Sequence, residues 1–158
     1  MLWLQSFNLD YAFWVTIISI VVLLLLSAFF SGSETALTAA SRGKLQNQAD
    51  KGSRGAARAL SITDDNERLI GSVLLGNNLV NILATSLATA LFTKLVGESS
   101  VALATLVMTV LVLIFAEVLP KTYAITNAEK AAARVSAPIS LFVRSEEHTS
   151  ELQSPVTI

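Results

Sequence analysis

The stretch YAFWVTIISIVVLLLLSAFF, Tyr11 to Phe30, carries no charged residue. Its length matches the ~20 apolar residues that one helix needs to cross the hydrocarbon core of a bilayer. It is too long for the apolar region of a signal peptide, and no Lys or Arg precedes it. The segment therefore predicts a retained transmembrane helix. Trp3, Tyr11 and Trp14 suit an interfacial aromatic belt at its start.

Two further apolar blocks follow. LIGSVLLGNNLVNILATSLATALFT lies between Arg68 and Lys94, and SSVALATLVMTVLVLIFA lies between Glu98 and Glu117. Of the 158 residues, 53% are hydrophobic and 15% charged, against roughly 25% charged in an ordinary soluble domain. The fold class expected is an all-α membrane protein, with three transmembrane helices plus short cytosolic and juxtamembrane helices. The absence of Cys removes disulfides, thiol catalysis and Cys-ligated metal sites. A net charge of −1 makes no case for nucleic acid.

Lys and Arg set the expected direction. None stands before the first block. Arg42, Lys44, Lys51, Arg54, Arg58 and Arg68 fall between the first and second, Lys94 between the second and third, and Lys121, Lys130 and Arg134 after the third. The alternation predicts a multi-pass inner-membrane protein with its N-terminus outside and its C-terminus in the cytosol. The Ser41–Glu67 loop predicts one or two short helices near the headgroups, where anionic lipid attracts basic residues. Residues 126–143 begin as an amphipathic helix. Pro138 is expected to bound a new apolar stretch, the start of a surface helix or of a fourth span.

From Arg144 the chain turns polar and aperiodic: RSEEHTSELQSP, then Val156-Thr157-Ile158. This run resembles the conceptual translation of a short-read sequencing adapter. That likeness implies a native membrane domain over 1–143, truncated, and a non-native tail over 144–158. A natural acidic, weakly helical tail is the other reading. His148 is the only His, so without the tail imidazole chemistry drops out and the small net charge turns slightly positive.

Three polar clusters stand at membrane depth. Ser27 and Ser31 are four residues apart and share a helix face, with Gly32 beside them. Asn77 and Asn81 share a face too, with Gly76 before them and Asn78 rotated by about 100°. Glu117 ends the third block, and Pro120 predicts a kink or a stop there. Each cluster has a structural reading: hydroxyls bonded to their own helix, asparagines joining helices, and a Glu117–Lys121 pair. Together they form a set of hard oxygen donors, the kind taken by Mg²⁺ or Na⁺ and not preferred by zinc or copper. One carboxylate leaves a divalent ion partly uncompensated, which suits transient binding.

FFSGSETAL (Phe29–Leu37), LLGNNLVNILATSLAT (Leu74–Thr89) and FAEVLPKT (Phe115–Thr122) resemble, in order and spacing, the transmembrane domain of the CorB/CorC and cyclin M magnesium transporters. The resemblance implies a homodimer in a lipid membrane that exports Mg²⁺ in exchange for Na⁺. It implies metal ligands at Ser27, Ser31, Asn77, Asn78, Asn81 and Glu117, in an inward-facing cavity shaped by Gly32, Gly76 and Pro120. Family members continue into cytosolic paired CBS domains, to which nothing in this chain corresponds.

The alternative function is a non-transporting dimeric membrane anchor for such CBS-type sensor domains, with the small and Asn residues as packing devices. An enzyme is not expected: Ser31-Gly32-Ser33 is no nucleophile elbow, and no phosphate loop is present.

Overall fold

A computed structural model describes residues 2–153, with side chains described for 10–65, 67–99 and 101–145. Trp3, His148 and the end of the tail, 154–158, lie outside the described residues or side chains. Among the described residues the chain is helical with no strand.

Three helices are long and apolar enough to cross a membrane: Asp10–Ala39, Glu67–Val96 and Val101–Thr126. The chain is a multi-pass membrane protein. The first span belongs to α1 (Leu2–Ala39) and the second to α4 (Asn66–Val96). The third is α5 (Val101–Leu111), a π-helical segment (Val112–Val118) and α6 (Leu119–Thr126) in unbroken succession. Between α1 and α4 stand α2 (Arg42–Asp50) and α3 (Arg54–Thr63), and α7 (Ala128–Gln153) ends the described chain.

The spans overrun the apolar blocks. Thirty residues of helix in α1 reach about 45 Å, well beyond the hydrocarbon core. Ser31-Gly32-Ser33-Glu34 does not stop α1, because its C-terminal part is packed: Ser31, Ser33, Ala36 and Leu37 are all buried. Capping sets the other ends. Ser53 accepts from the Ala56 N–H at 3.2 Å and Asp65 from the Arg68 N–H at 3.4 Å, starting α3 and α4. Gly97, at φ +88°, closes α4 with its N–H on the Thr93 carbonyl, a backbone shape that suits glycine.

The helices α2, α3 and α7 gather at one end of the spans. Arg42 pairs with Asp64, tying the start of α2 to the turn before α4. Glu129, in the first turn of α7, accepts from the Ser41 N–H at 3.3 Å and faces Lys44 at 3.6 Å. Phe30, Leu45, Leu69, Val73 and Ile139 form the apolar core of this end. At the other end Ile20, Ala88 and Met108 make a smaller cluster. Between them the outward faces of the spans are rows of exposed Leu, Ile and Val, such as Leu25, Leu74, Ile82, Leu103 and Leu106. Such rows suit the hydrocarbon of a bilayer or another membrane helix.

Two proline expectations are corrected. Pro120 does not stop the third helix, which continues to Thr126. Pro138 lies inside α7 and does not bound it, and its ring sits on the exposed side of that helix. Among the described residues α7 is not one of the three helices long and apolar enough to cross a membrane. It also runs past residue 143 to Gln153 without a break, so the expected boundary is not marked by a change in the backbone.

Candidate functional site

The polar residues of α1 divide into two kinds. Thr16 and Ser19 donate to the carbonyls four residues earlier, Ala12 and Val15, both at 2.8 Å, and Ser33 does the same to Phe29 at 2.6 Å. Each needs nothing beyond its own helix. Ser27 and Ser31 behave differently. Both are fully buried. The Ser27 Oγ lies 2.5 Å from Asn81 Oδ1 and 3.1 Å from Asn77 Oδ1, across the α1–α4 interface. A hydroxyl has one proton, so it satisfies one of these two acceptors and leaves the other oxygen in hand. One turn further on, Ser31 Oγ has no hydrogen-bond partner among the described residues. Such a group carries a desolvation cost of about 1–3 kcal/mol.

Asn77 is buried and Asn81 half-buried. Their spacing of four puts both on the face of α4 turned to α1. Asn78, one residue round, is exposed among Leu74, Leu75 and Leu79. The structure therefore joins Ser27, Asn77 and Asn81 and sets Asn78 apart from them.

The glycines set the approach of the helices. A Cβ on Gly32 would stand 3.4 Å from the Pro120 Cβ, so the bare backbone of α1 lies against the proline of the third span. A Cβ on Gly76 would meet the Phe30 ring at 3.0 Å and the Phe142 ring at 3.2 Å. Those rings stack edge-on, with centroids 5.2 Å apart, over the notch that glycine leaves.

Glu117 sits in the π-helical segment, half-buried, with the fully buried Ala116 before it. It pairs neither with Lys121 nor with any other described residue. The local backbone explains the π turn. The Leu119 N–H reaches back five residues to the Ile114 carbonyl. In that register the Phe115 carbonyl would look to residue 120, a proline with no N–H. The break thus places loosened backbone oxygen beside the single acid of the span, and π turns inside α-helices are frequent at functional sites. Sequence reasoning anticipated a disturbance at Pro120 but not its π form. It did not count as a site residue Ser72, which is buried on the same helix as the asparagines and has a partner of its own.

Among the described residues no cluster of three His, Cys, Asp or Glu could hold a metal. Any cation here would rely on neutral oxygens and one carboxylate, the set that Mg²⁺ and Na⁺ accept.

Comparison with known families bears on this arrangement. The family described as "Cyclin M transmembrane N-terminal domain" matches residues 18–145, which include every residue of the polar cluster. The chain belongs to this family. Relatives of this cyclin M domain include the UPF0053 inner membrane protein YfjD of Escherichia coli, 50% identical over 107 residues. That alignment takes in 68% of this chain and 25% of YfjD. A UPF0053 protein of Haemophilus influenzae is 40% identical over 113 residues, 72% of this chain and 27% of its own. A chloroplastic DUF21 domain-containing protein of Arabidopsis thaliana is 41% identical over 120 residues, 75% of this chain and 18% of its own. The cyclin M domain described here thus spans about a quarter or less of the length of these relatives.

Proposed function

We propose that this domain carries Mg²⁺ across the membrane, outward and in exchange for Na⁺, through a site built from Ser27, Ser31, Asn77, Asn81 and Glu117. The observation that carries the reading is the buried Ser31 hydroxyl without a hydrogen-bond partner among the described residues, one turn from a Ser27 hydroxyl whose single proton faces two asparagine oxygens, of Asn77 and Asn81. A cation supplies what such a group lacks. The π turn and Pro120 give the third span a place to flex, so that the same oxygens face one side and then the other. A single carboxylate leaves a divalent ion with residual positive charge, which favours release over permanent retention. Na⁺ competing for the same oxygens provides the coupling.

The basic end of the molecule is assigned to the cytosol, and the N-terminus to the outside, by the Lys and Arg distribution. A homodimer is part of the proposal, supported by Asn78: a polar side chain on an apolar, lipid-depth face gains a partner from a second copy. Cytosolic CBS domains belong to the longer proteins of this kind.

One observation favours the alternative, a dimeric anchor that transports nothing. Ser27 bonds Asn81 of α4 directly, as a packing device would. Thermal unfolding of the purified chain in detergent separates the two. A ligand that binds only the folded state stabilises it by about 2.7 kcal/mol at a hundred times its Kd. Mg²⁺ is expected to raise the melting temperature of the parent and not of Glu117→Gln, with Ca²⁺ and Na⁺ as controls. Equal responses, or none from two folded proteins, contradict the ion site and favour the anchor.

A further inference from the structure

A second site lies away from the polar cluster, at the basic end. The turn between α2 and α3 is closed by Gly52 at φ +96°, with the Ser53 N–H on the Gln48 carbonyl. That turn brings Lys51 and the α3 cap Ser53 beside the first turns of α7. There Lys130 and Arg134, four apart, share a face. Together with Gln48 and Ala133 these residues line an open cleft of about 470 Å³. Lys51, Lys130 and Arg134 form no ion pair among the described residues. The acids next to them are engaged elsewhere: Asp50 accepts from Gln46 at 3.0 Å, and Glu129 is held by Ser41 and Lys44. Three like charges around one cleft with no acid lining it repel one another until an anion joins them.

A neighbouring cavity identifies the anion. Arg134 also lines a second space of about 180 Å³, between α1, α6 and α7. Its walls are Phe29, Gly32, Pro120, Tyr123, Ala131 and Val135, almost wholly apolar. A cationic cleft and an apolar one thus meet at one arginine, beside the ends of the first and third spans. Free phosphate has no use for the apolar half, and a neutral lipid none for the basic half.

We infer that this composite site holds one anionic phospholipid, its phosphate among Lys51, Lys130 and Arg134 and an acyl chain laid against Pro120 and Val135. None of the three cations belongs to the polar cluster, so the basic half stands apart from the ion-transport reading, while the apolar half borders it at Gly32 and Pro120.

The test uses the full chain, purified in a neutral detergent. Melting temperature and lipid retention in native mass spectrometry are read against added dioleoylphosphatidylglycerol, dioleoylphosphatidylcholine and glycerol phosphate. The glycerol lipid is expected to stabilise and to remain bound, and the other two are not. Each cation removed, in Lys51→Gln and in Lys130→Gln/Arg134→Gln, should weaken retention about fivefold. Val135→Trp, which fills the apolar half, should lose the lipid with the basic cleft intact. An equal response to glycerol phosphate makes the site a simple anion site and overturns the lipid assignment. An equal response to phosphatidylcholine, or unchanged retention in folded variants on both α2–α3 and α7, overturns it as well. Lys51→Gln lies on a different element from the other pair, so a folding failure in one leaves the other decisive.

Discussion

The two halves of α1 face similar neighbours and solve the same problem differently. In the N-terminal half Thr16 and Ser19 return their hydroxyls to their own backbone, and Ile20 closes against Ala88 and Met108 in an apolar cluster. In the C-terminal half Ser27 spends its proton across the interface and Ser31 spends none. Both halves pack against α4, so packing alone does not require asparagines and unpaired serine at that depth. The difference teaches that the polar half carries a stability cost the apolar half avoids, the cost that the proposed ion site would offset.

Substitutions sharpen the contrast, and the largest effect is steric. Gly76→Val puts a branched side chain into the Phe30 and Phe142 rings and should cost about 3 kcal/mol by overpacking. Thermal unfolding would show it, and Gly71→Ala, with open space around it, serves as the silent control. Next comes the apolar half: Met108→Ala should lose about 2 kcal/mol through the cavity it opens. Its melting temperature falls, yet its response to Mg²⁺ stays whole. A lost response there would break the comparison, because the two halves would then act as one site. Asn81→Leu reverses the pattern. Removing an interhelical hydrogen bond costs roughly 0.6–2 kcal/mol, while the Mg²⁺ response disappears in a calorimetric titration.

The smallest effect lies at the basic end. Its own backbone N–H and that of Ser41 hold the Glu129 carboxyl below the ordinary carboxylate range, with Lys44 adding to them. A lowered folded pKa contributes stability above the unfolded pKa and loses it as pH falls through the folded value. Acidification through and below the ordinary carboxylate range should therefore loosen the tie between the α1–α2 junction and α7. Glu129→Gln should flatten that part of the pH–stability curve, read by circular dichroism melts.

Much of this was legible before the structure. Twenty uncharged residues from Tyr11 to Phe30 dictate a span. The four-residue spacings of Ser27 with Ser31 and of Asn77 with Asn81 place each pair on one face, and the 100° rotation that separates Asn78 is visible in the same arithmetic. Helix ends were less legible. The first apolar block ends at Phe30, but tertiary packing of Ala36 and Leu37 carries α1 on to Ala39. Pro120 reads as a kink or stop, and the chain instead absorbs the missing N–H in a π turn. Pro138 reads as a boundary, yet its ring faces outward and α7 runs on. The lone Ser31 hydroxyl was not legible at all: whether a serine bonds its own helix depends on a rotamer that local sequence does not specify.

Ser31 also offers the most direct test. Replacing an unpartnered buried hydroxyl by alanine removes its desolvation cost without removing any bond. In the absence of ions, Ser31→Ala should therefore melt higher than the parent, by an amount equivalent to about 1 kcal/mol. With Mg²⁺ titrated in, its affinity should fall about tenfold, an energetic loss near 1.4 kcal/mol, while Ser19→Ala keeps the parent's affinity. A gain in intrinsic stability joined to a loss of ion binding is the signature of a ligand held ready. If Ser31→Ala binds Mg²⁺ as the parent does, the C-terminal half of α1 is no ion site and the central claim is wrong.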